Sequence, residues 1–181
     1  MKRICVYCGS STGHNSNFEK AARELGVEIG RRKLGLVYGG SSVGLMGTVA
    51  DAVLDEGGEV QGVIPEKLKK REVAHHHLSE LHVTENMHQR KALMAQLSDA
   101  FIALPGGFGT FEELIETITW IQLGIHHQPL VLFNVDGYYD PLINFVDQAV
   151  DQGFIKNSNR EILRVAGTVA ECFNQLELQI A

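Results

Sequence analysis

Short apolar runs alternate with longer stretches of helical period along almost the whole chain. The runs fall at residues 4–8, 35–38, 59–64, 100–104 and 130–134, with a short late one at 163–165. Continuous apolarity over so few residues marks strands buried on both faces rather than half-exposed hairpins. Between the first two runs, Phe18, Ala21, Ala22, Leu25 and Ile29 recur at helical spacing and stack on one face, as a helix laid over a sheet requires. Similar crossover helices are expected at residues 43–56, 87–97, 110–123, 141–152 and 168–176. The alternation predicts an α/β fold, a Rossmann-like doubly wound and mostly parallel sheet flanked by helices, in a single domain over residues 1–181. Residues 65–85 break the rhythm. They carry Lys67, Lys69, Lys70 and Arg71, then Glu72, then His75, His76 and His77, and read as a long, partly mobile loop of the kind that binds ligands.

Composition narrows the function. With 44% hydrophobic and 21% charged residues among 181, the chain is globular and large enough for one core. Sixteen basic residues against 22 acidic ones leave a net charge of −6, without the basic excess that binding a nucleic-acid backbone needs. The first apolar run is too short for a signal peptide, and the uncharged stretch 117–135 is interrupted by Gln122, His126, His127, Gln128 and Pro129, so no membrane span is expected. Three cysteines, Cys5, Cys8 and Cys172, make a disulfide framework improbable and fit a reducing cytoplasm. Cys5 and Cys8 are three apart on a strand, hence on opposite faces, which suits neither a metal site nor a redox pair. The three consecutive histidines do not converge on one ion and read as a solvated loop.

In a doubly wound sheet, ligands bind beyond the carboxyl ends of the strands. Three Gly- and Ser-rich turns fall there: Cys8-Gly9-Ser10-Ser11, Tyr38-Gly39-Gly40-Ser41-Ser42, and Pro105-Gly106-Gly107-Phe108-Gly109-Thr110-Phe111-Glu112-Glu113. Ser10, Gly39 and Gly40 are therefore candidate substrate contacts. In the third turn, three glycines in four residues free backbone N–H groups for a ligand, and Thr110 is expected to cap the next helix, which makes a phosphate cradle. The turn has no P-loop Lys-Ser or Lys-Thr ending and no Gly-x-Gly-x-x-Gly spacing, which disfavours ATP and NAD. Glu112, Glu116 and Thr119 share one helix face while Glu113 is turned about 100° away. A carboxylate beside a phosphate cradle is unfavourable unless chemistry uses it. Arg90 and Lys91, in Met87-His88-Gln89-Arg90-Lys91-Ala92-Leu93-Met94, supply cations, Arg90 being able to grip a phosphate or carboxylate with two parallel hydrogen bonds; composition alone places both on a solvated helix face.

Residues 105–113 match the pattern PGGxGTxxE and residues 87–94 its companion block, so the chain resembles the LONELY GUY (LOG) family of cytokinin-activating phosphoribohydrolases, once labelled lysine decarboxylases. The resemblance runs from Gly9-Ser10-Ser11 through Tyr38-Gly39-Gly40 and Gly44-Leu45-Met46-Gly47 to Asn134-Val135-Asp136-Gly137-Tyr138-Tyr139 and Glu161. It implies hydrolysis of the N-glycosidic bond of an N6-modified adenosine 5′-monophosphate to free base and ribose 5-phosphate, with no metal or redox cofactor, by a homodimer. It implies that Gly106, Gly107, Phe108, Gly109, Thr110, Phe111 and Glu112 hold the substrate and that Glu72, Arg90, Lys91 and Thr119 touch it. Arg90, Glu112 and Glu113 would be the catalytic set, with Glu112 and Glu113 not separable. Met87, Met94, the Glu72 loop and a partner subunit are expected to shape the pocket around N6. A general AMP glycosidase, and a carrier of a nucleotide-type cofactor such as a molybdenum-cofactor carrier, are the competing readings. Decarboxylation through pyridoxal phosphate has little support, because no lysine sits in a recognisable Schiff-base setting.

Overall fold

The computed structural model describes residues 2–69 and 74–177. Seven strands form one sheet: β1 (Arg3–Tyr7), β2 (Gly35–Tyr38), β3 (Val60–Pro65), β4 (Glu80–Thr84), β5 (Ala100–Ala103), β6 (Leu130–Phe133) and β7 (Arg164–Ala166). The spatial order is β4-β3-β2-β1-β5-β6-β7, and every pairing is parallel. The crossovers carry α1 (Ser16–Arg31), α2 (Gly44–Asp55), a single turn α3 (Glu66–Lys69), α4 (Met87–Leu97), α5 (Phe108–Gln122), α6 (Asp140–Asp151) and a short α7 (Asn157–Arg160), with α8 (Val169–Glu177) following β7. Asn15 and Asn86 cap α1 and α4 through their side-chain oxygens, accepting from Asn17 and Gln89 N–H.

The period of two along β1 sorts the core. Ile4, Val6 and Cys8 pack with α1, α2 and α8 on one face, while Cys5 and Tyr7 pack with α4, α5 and α6 on the other. Cys5 and Cys8 thus sit on opposite faces, both buried and free. Phe18, Ala21, Ala22, Leu25 and Ile29 all join the first cluster, as their spacing predicts.

The described residues of the 65–85 segment are more regular than their sequence suggests. β4 pairs with β3 from Gln61↔Glu80 to Pro65↔Thr84, and its single neighbour explains why it escaped the hydrophobic pattern: an edge strand needs no continuous apolar run, and Glu80 and Val83 stay exposed. His75 is not solvated. Its ring is buried and its Nε2 lies 2.9 Å from Asp51 Oδ1 of α2, whereas His76 and His77 are exposed. Among the described residues, no helix is long and apolar enough to cross a membrane.

Candidate active site

The chain reverses direction between β1 and β5. From β1 it winds outward through β2 to β4, and from β5 outward through β6 to β7, so the loops leaving these two strands part at the carboxyl edge of the sheet. Gly9 N–H donates to Pro105 C=O at 3.0 Å, tying the two loops at their base. Gly106 is required at this contact, because a Cβ there would lie 2.1 Å from Thr110 Oγ1 and 2.9 Å from Gly9 N. Beside it opens a cleft of about 340 Å³ walled by Cys8, Gly9, Ser10, Met46, Leu68, Met87, Arg90, Gly107, Phe108, Gly109, Thr110 and Glu113, within the size range of small-molecule sites.

α5 begins two residues earlier than expected. Gly107, not Thr110, is the N-cap, and Thr110 is the third helical residue, almost fully buried. A glycine cap brings no side-chain acceptor, so the first N–H groups of α5 are left for a ligand at the positive end of the helix.

The floor of the cleft is a buried ion pair. Arg90 of α4 and Glu113 of α5 are 7% and 8% exposed, and Arg90 Nη1 donates to Glu113 Oε1 at 2.8 Å. Arg90 Nε donates to Val63 C=O at 3.0 Å, and its other nitrogen fills the space above Gly39, where a Cβ would come within 2.5 Å of it. Gly39 is thus a seat for Arg90 and not a wall of the cleft. Gly40, with φ +80°, lies behind it against Ile64 and Leu81. Burial raises the Glu113 carboxyl above the ordinary glutamate range, with Arg90 opposing that shift.

A second bracket of charges holds the same two helices. Lys91 Nζ donates to Glu112 and, at 2.9 Å, to Glu116. Neither Arg90 nor Lys91 belongs to a solvated face; the buried side of α4 is charged because α5 meets it with three glutamates. Consecutive residues on α4 therefore meet consecutive residues on α5, and this separates the two glutamates that the sequence left equivalent: Glu113 enters the cleft, while Glu112 stays half-exposed on Lys91 outside it.

The remaining expected residues are divided. Ser10, Gly107, Phe108, Gly109 and Thr110 line the cleft with Arg90 and Glu113, and Met87 does so with Met46 and Leu68. Met94 is 1% exposed in the core beneath the sheet and cannot shape the pocket. Phe111 packs edge-on against Tyr139 and Phe108. Thr119 is exposed and donates to Ile115 C=O on its own helix. Glu72 lies outside the described residues. Cys8, Met46 and Leu68 are additions for which the sequence held no signal beyond their nearness to strand ends and to the irregular segment. A wider hollow of about 700 Å³ at the opposite edge of the sheet, near Arg3, Arg32 and Glu59, lies away from the strand carboxyl ends, and its Arg3–Glu59 and Arg32–Glu28 charges pair with one another.

Residues 46–176 match the family model described as possible lysine decarboxylase. The cytokinin riboside 5′-monophosphate phosphoribohydrolase LOG3 of Arabidopsis thaliana is 54% identical over 177 residues, 98% of this chain and 82% of that protein. The phosphoribohydrolase LOG of Oryza sativa subsp. japonica is 53% identical over 98% of this chain and 73% of its own length. Among solved structures, the molybdenum cofactor carrier protein of Chlamydomonas reinhardtii superposes with a TM-score of 0.75 at 22% identity, covering 99% of this chain and 98% of that one. The molybdenum cofactor binding protein of Rippkaea orientalis gives 0.74 at 21% identity, over 100% and 99% of the two chains. These two share the fold alone. Sequence identity above one half over nearly the whole chain, with the PGGxGTxxE turn and the Arg90–Glu113 pair meeting in one cleft, makes this protein a member of the LOG family.

Proposed function

We propose that the protein hydrolyses the N-glycosidic bond of N6-modified adenosine 5′-monophosphates, giving free base and ribose 5-phosphate. The observation that carries this reading is one cleft holding both an anion-binding helix terminus and a buried carboxylate paired with arginine. The 5′-phosphate sits against the N–H groups at the start of α5, where the helix dipole and the glycine backbone favour an anion. The ribose then lies over Glu113. Breaking the C1′–N9 bond builds positive charge on the sugar, which the Glu113 carboxylate stabilises. The same carboxylate orients the attacking water, whose oxygen bonds to C1′ while a proton passes to the departing base. Arg90 keeps Glu113 ionised and fixed; its guanidinium offers donors and no acceptor, so it anchors charge and does not act as a base. Lys91, Glu112 and Glu116 hold α4 and α5 in register rather than touching the reacting atoms.

Met46, Leu68, Met87 and Phe108 give the cleft an apolar part to its lining, which favours an apolar N6 substituent over bare AMP. No lysine lines the cleft among the described residues, and Lys91 is committed to two glutamates, so the chemistry of a Schiff base has no support there. The homodimer belongs to the same proposal. Ile115, Thr119 and Leu123 form an exposed stripe at i, i+4 and i+8, continued by Ile125, and a second copy seated on it would bring Thr119 toward a substrate it cannot reach within one chain. Three buried free thiols fit the cytoplasm.

The test is base release from isopentenyladenosine 5′-monophosphate, AMP and the unphosphorylated riboside, by wild type and Glu113→Gln with chelator present. Release that prefers the modified monophosphate, needs its phosphate and collapses in the variant establishes the reading. Equal release from AMP makes the enzyme a general nucleotide glycosidase, and no release from any substrate turns attention to a binding role.

A further inference from the structure

The turn that begins α5 is set from behind by a tyrosine. Tyr138 Oη donates to Gly106 C=O at 2.5 Å. This carbonyl belongs to the peptide that ends in Gly107 N–H, and with no cis peptide bond in the described chain the two groups point in opposite directions. Gly9, Ser10 and Gly107 form a partition between two hollows: Tyr138 lines one with Phe18 and Leu45, while Arg90 and Glu113 line the other. Drawing the carbonyl toward Tyr138 therefore turns Gly107 N–H away from Tyr138, and Gly107 also lines the second hollow. On the Gly107 side no side chain fixes the peptide plane, since a Cβ there would meet no atom within 4 Å, and glycine's backbone freedom leaves its tilt to be set by hydrogen bonding. Gly107 N–H bonds to none of the described residues, which leaves it for a ligand.

The hydroxyl is itself held in place. The Tyr138 ring packs edge-on against Phe18 at 5.4 Å and Tyr139 at 4.8 Å. The turn that delivers it is fastened by Asn15 and Asn17, whose side-chain amides donate to Asp136 Oδ2 at 2.8 and 2.7 Å, and Asp136 keeps a left-handed φ of +50° there.

We propose that Tyr138 is a positioning residue for the phosphate cradle, fixing the Gly106-Gly107 peptide so that Gly107 N–H faces the 5′-phosphate. The inference rests on the hydrolase reading for the identity of the ligand, and deepens it. Tyr139 supplies an internal control. Its hydroxyl also donates to a backbone carbonyl, that of Leu104 at 2.7 Å, but the next residue is Pro105, so that peptide has no N–H to aim.

Tyr138→Phe and Tyr139→Phe are compared with wild type by calorimetric binding of ribose 5-phosphate and of inorganic phosphate, and by steady-state kinetics. Tyr138→Phe keeps both ring contacts. It is expected to bind both ligands about tenfold more weakly, the worth of one hydrogen bond to a charged group, and to place the loss on KM rather than kcat. Tyr139→Phe is expected to bind as wild type does, with a lower Tm. In labelled wild type, ribose 5-phosphate should shift the Gly107 amide proton downfield, a readout that needs no variant. Undiminished binding by Tyr138→Phe, an equal loss in Tyr139→Phe, or a Gly107 amide that does not move would each overturn the proposal. Wild type that binds ribose 5-phosphate but releases no base overturns only the hydrolase reading; wild type that binds neither ligand overturns both.

Discussion

Glu113 and Glu112 are neighbours with opposite surroundings, and substitution should separate them. Glu113→Gln is expected to lower kcat by roughly 10²–10⁴-fold, the range for losing a catalytic group at the reacting centre; its amide oxygen can still accept from Arg90, so the fold is kept with reduced stability because buried Arg90 loses its counter-charge. Glu112→Gln, outside the cleft, should fall short of that by at least an order of magnitude, and stopped-time assays of base release would show the split. The pH profile offers a second check. Burial raises the Glu113 carboxyl above the ordinary value of 4.5, so on acidification it takes up its proton sooner than an exposed glutamate would. The acid limb of kcat/KM should therefore bend above pH 4.5 in wild type and be absent from the residual activity of Glu113→Gln. Removing the partner has a different cost. Arg90→Ala leaves a buried carboxylate unpaired and should destabilise the fold by about 3–5 kcal/mol, readable by urea denaturation.

At the scale of elements, the start of α5 depends on Gly106 being bare but not on Gly109. Gly106→Ala drives a methyl group into Thr110 and into the Gly9 backbone, so it should weaken binding of phosphate-bearing substrates by at least tenfold while the riboside is affected far less. Gly109→Ala meets no atom within 4 Å and should be tolerated; comparing KM for the two variants checks the distinction. The same region shows what a sequence discloses. The glycine run followed by two acids was legible because its chemistry is local. Which acid enters the cleft was not, since helical phase fixes the angle between Glu112 and Glu113 but not which of them meets Arg90. The solvated-face reading of Arg90 and Lys91 failed because three glutamates from another helix cover them. β4 was hidden by its edge position, and the burial of His75 depends on Asp51, which is 24 residues away. Strands buried on both faces, and helices with a single apolar stripe such as α1, came through because their pattern does not need a partner's identity.

At the scale of the whole molecule, the exposed stripe on α5 has its own test. Leu123→Asp places a charge where a second copy would seat an apolar contact, and sedimentation should then report a monomer with reduced turnover; a dimer of unchanged affinity would place the interface elsewhere. The order of the sheet bears on how the protein comes into being. β1 lies at the centre, with β2 on one side and, on the other, β5, whose residues 100–103 come long after those of β1 in the chain. A growing polypeptide can bury the first side early, but it carries an open strand edge on Ile4, Cys5, Val6 and Tyr7 until β5 has emerged. The Gly9–Pro105 tie spans that same gap, so the cleft forms only when the chain's two halves join. A nascent or truncated form ending before β5 would be both inert and exposed to misassembly along its central strand, and would depend on chaperone cover during synthesis.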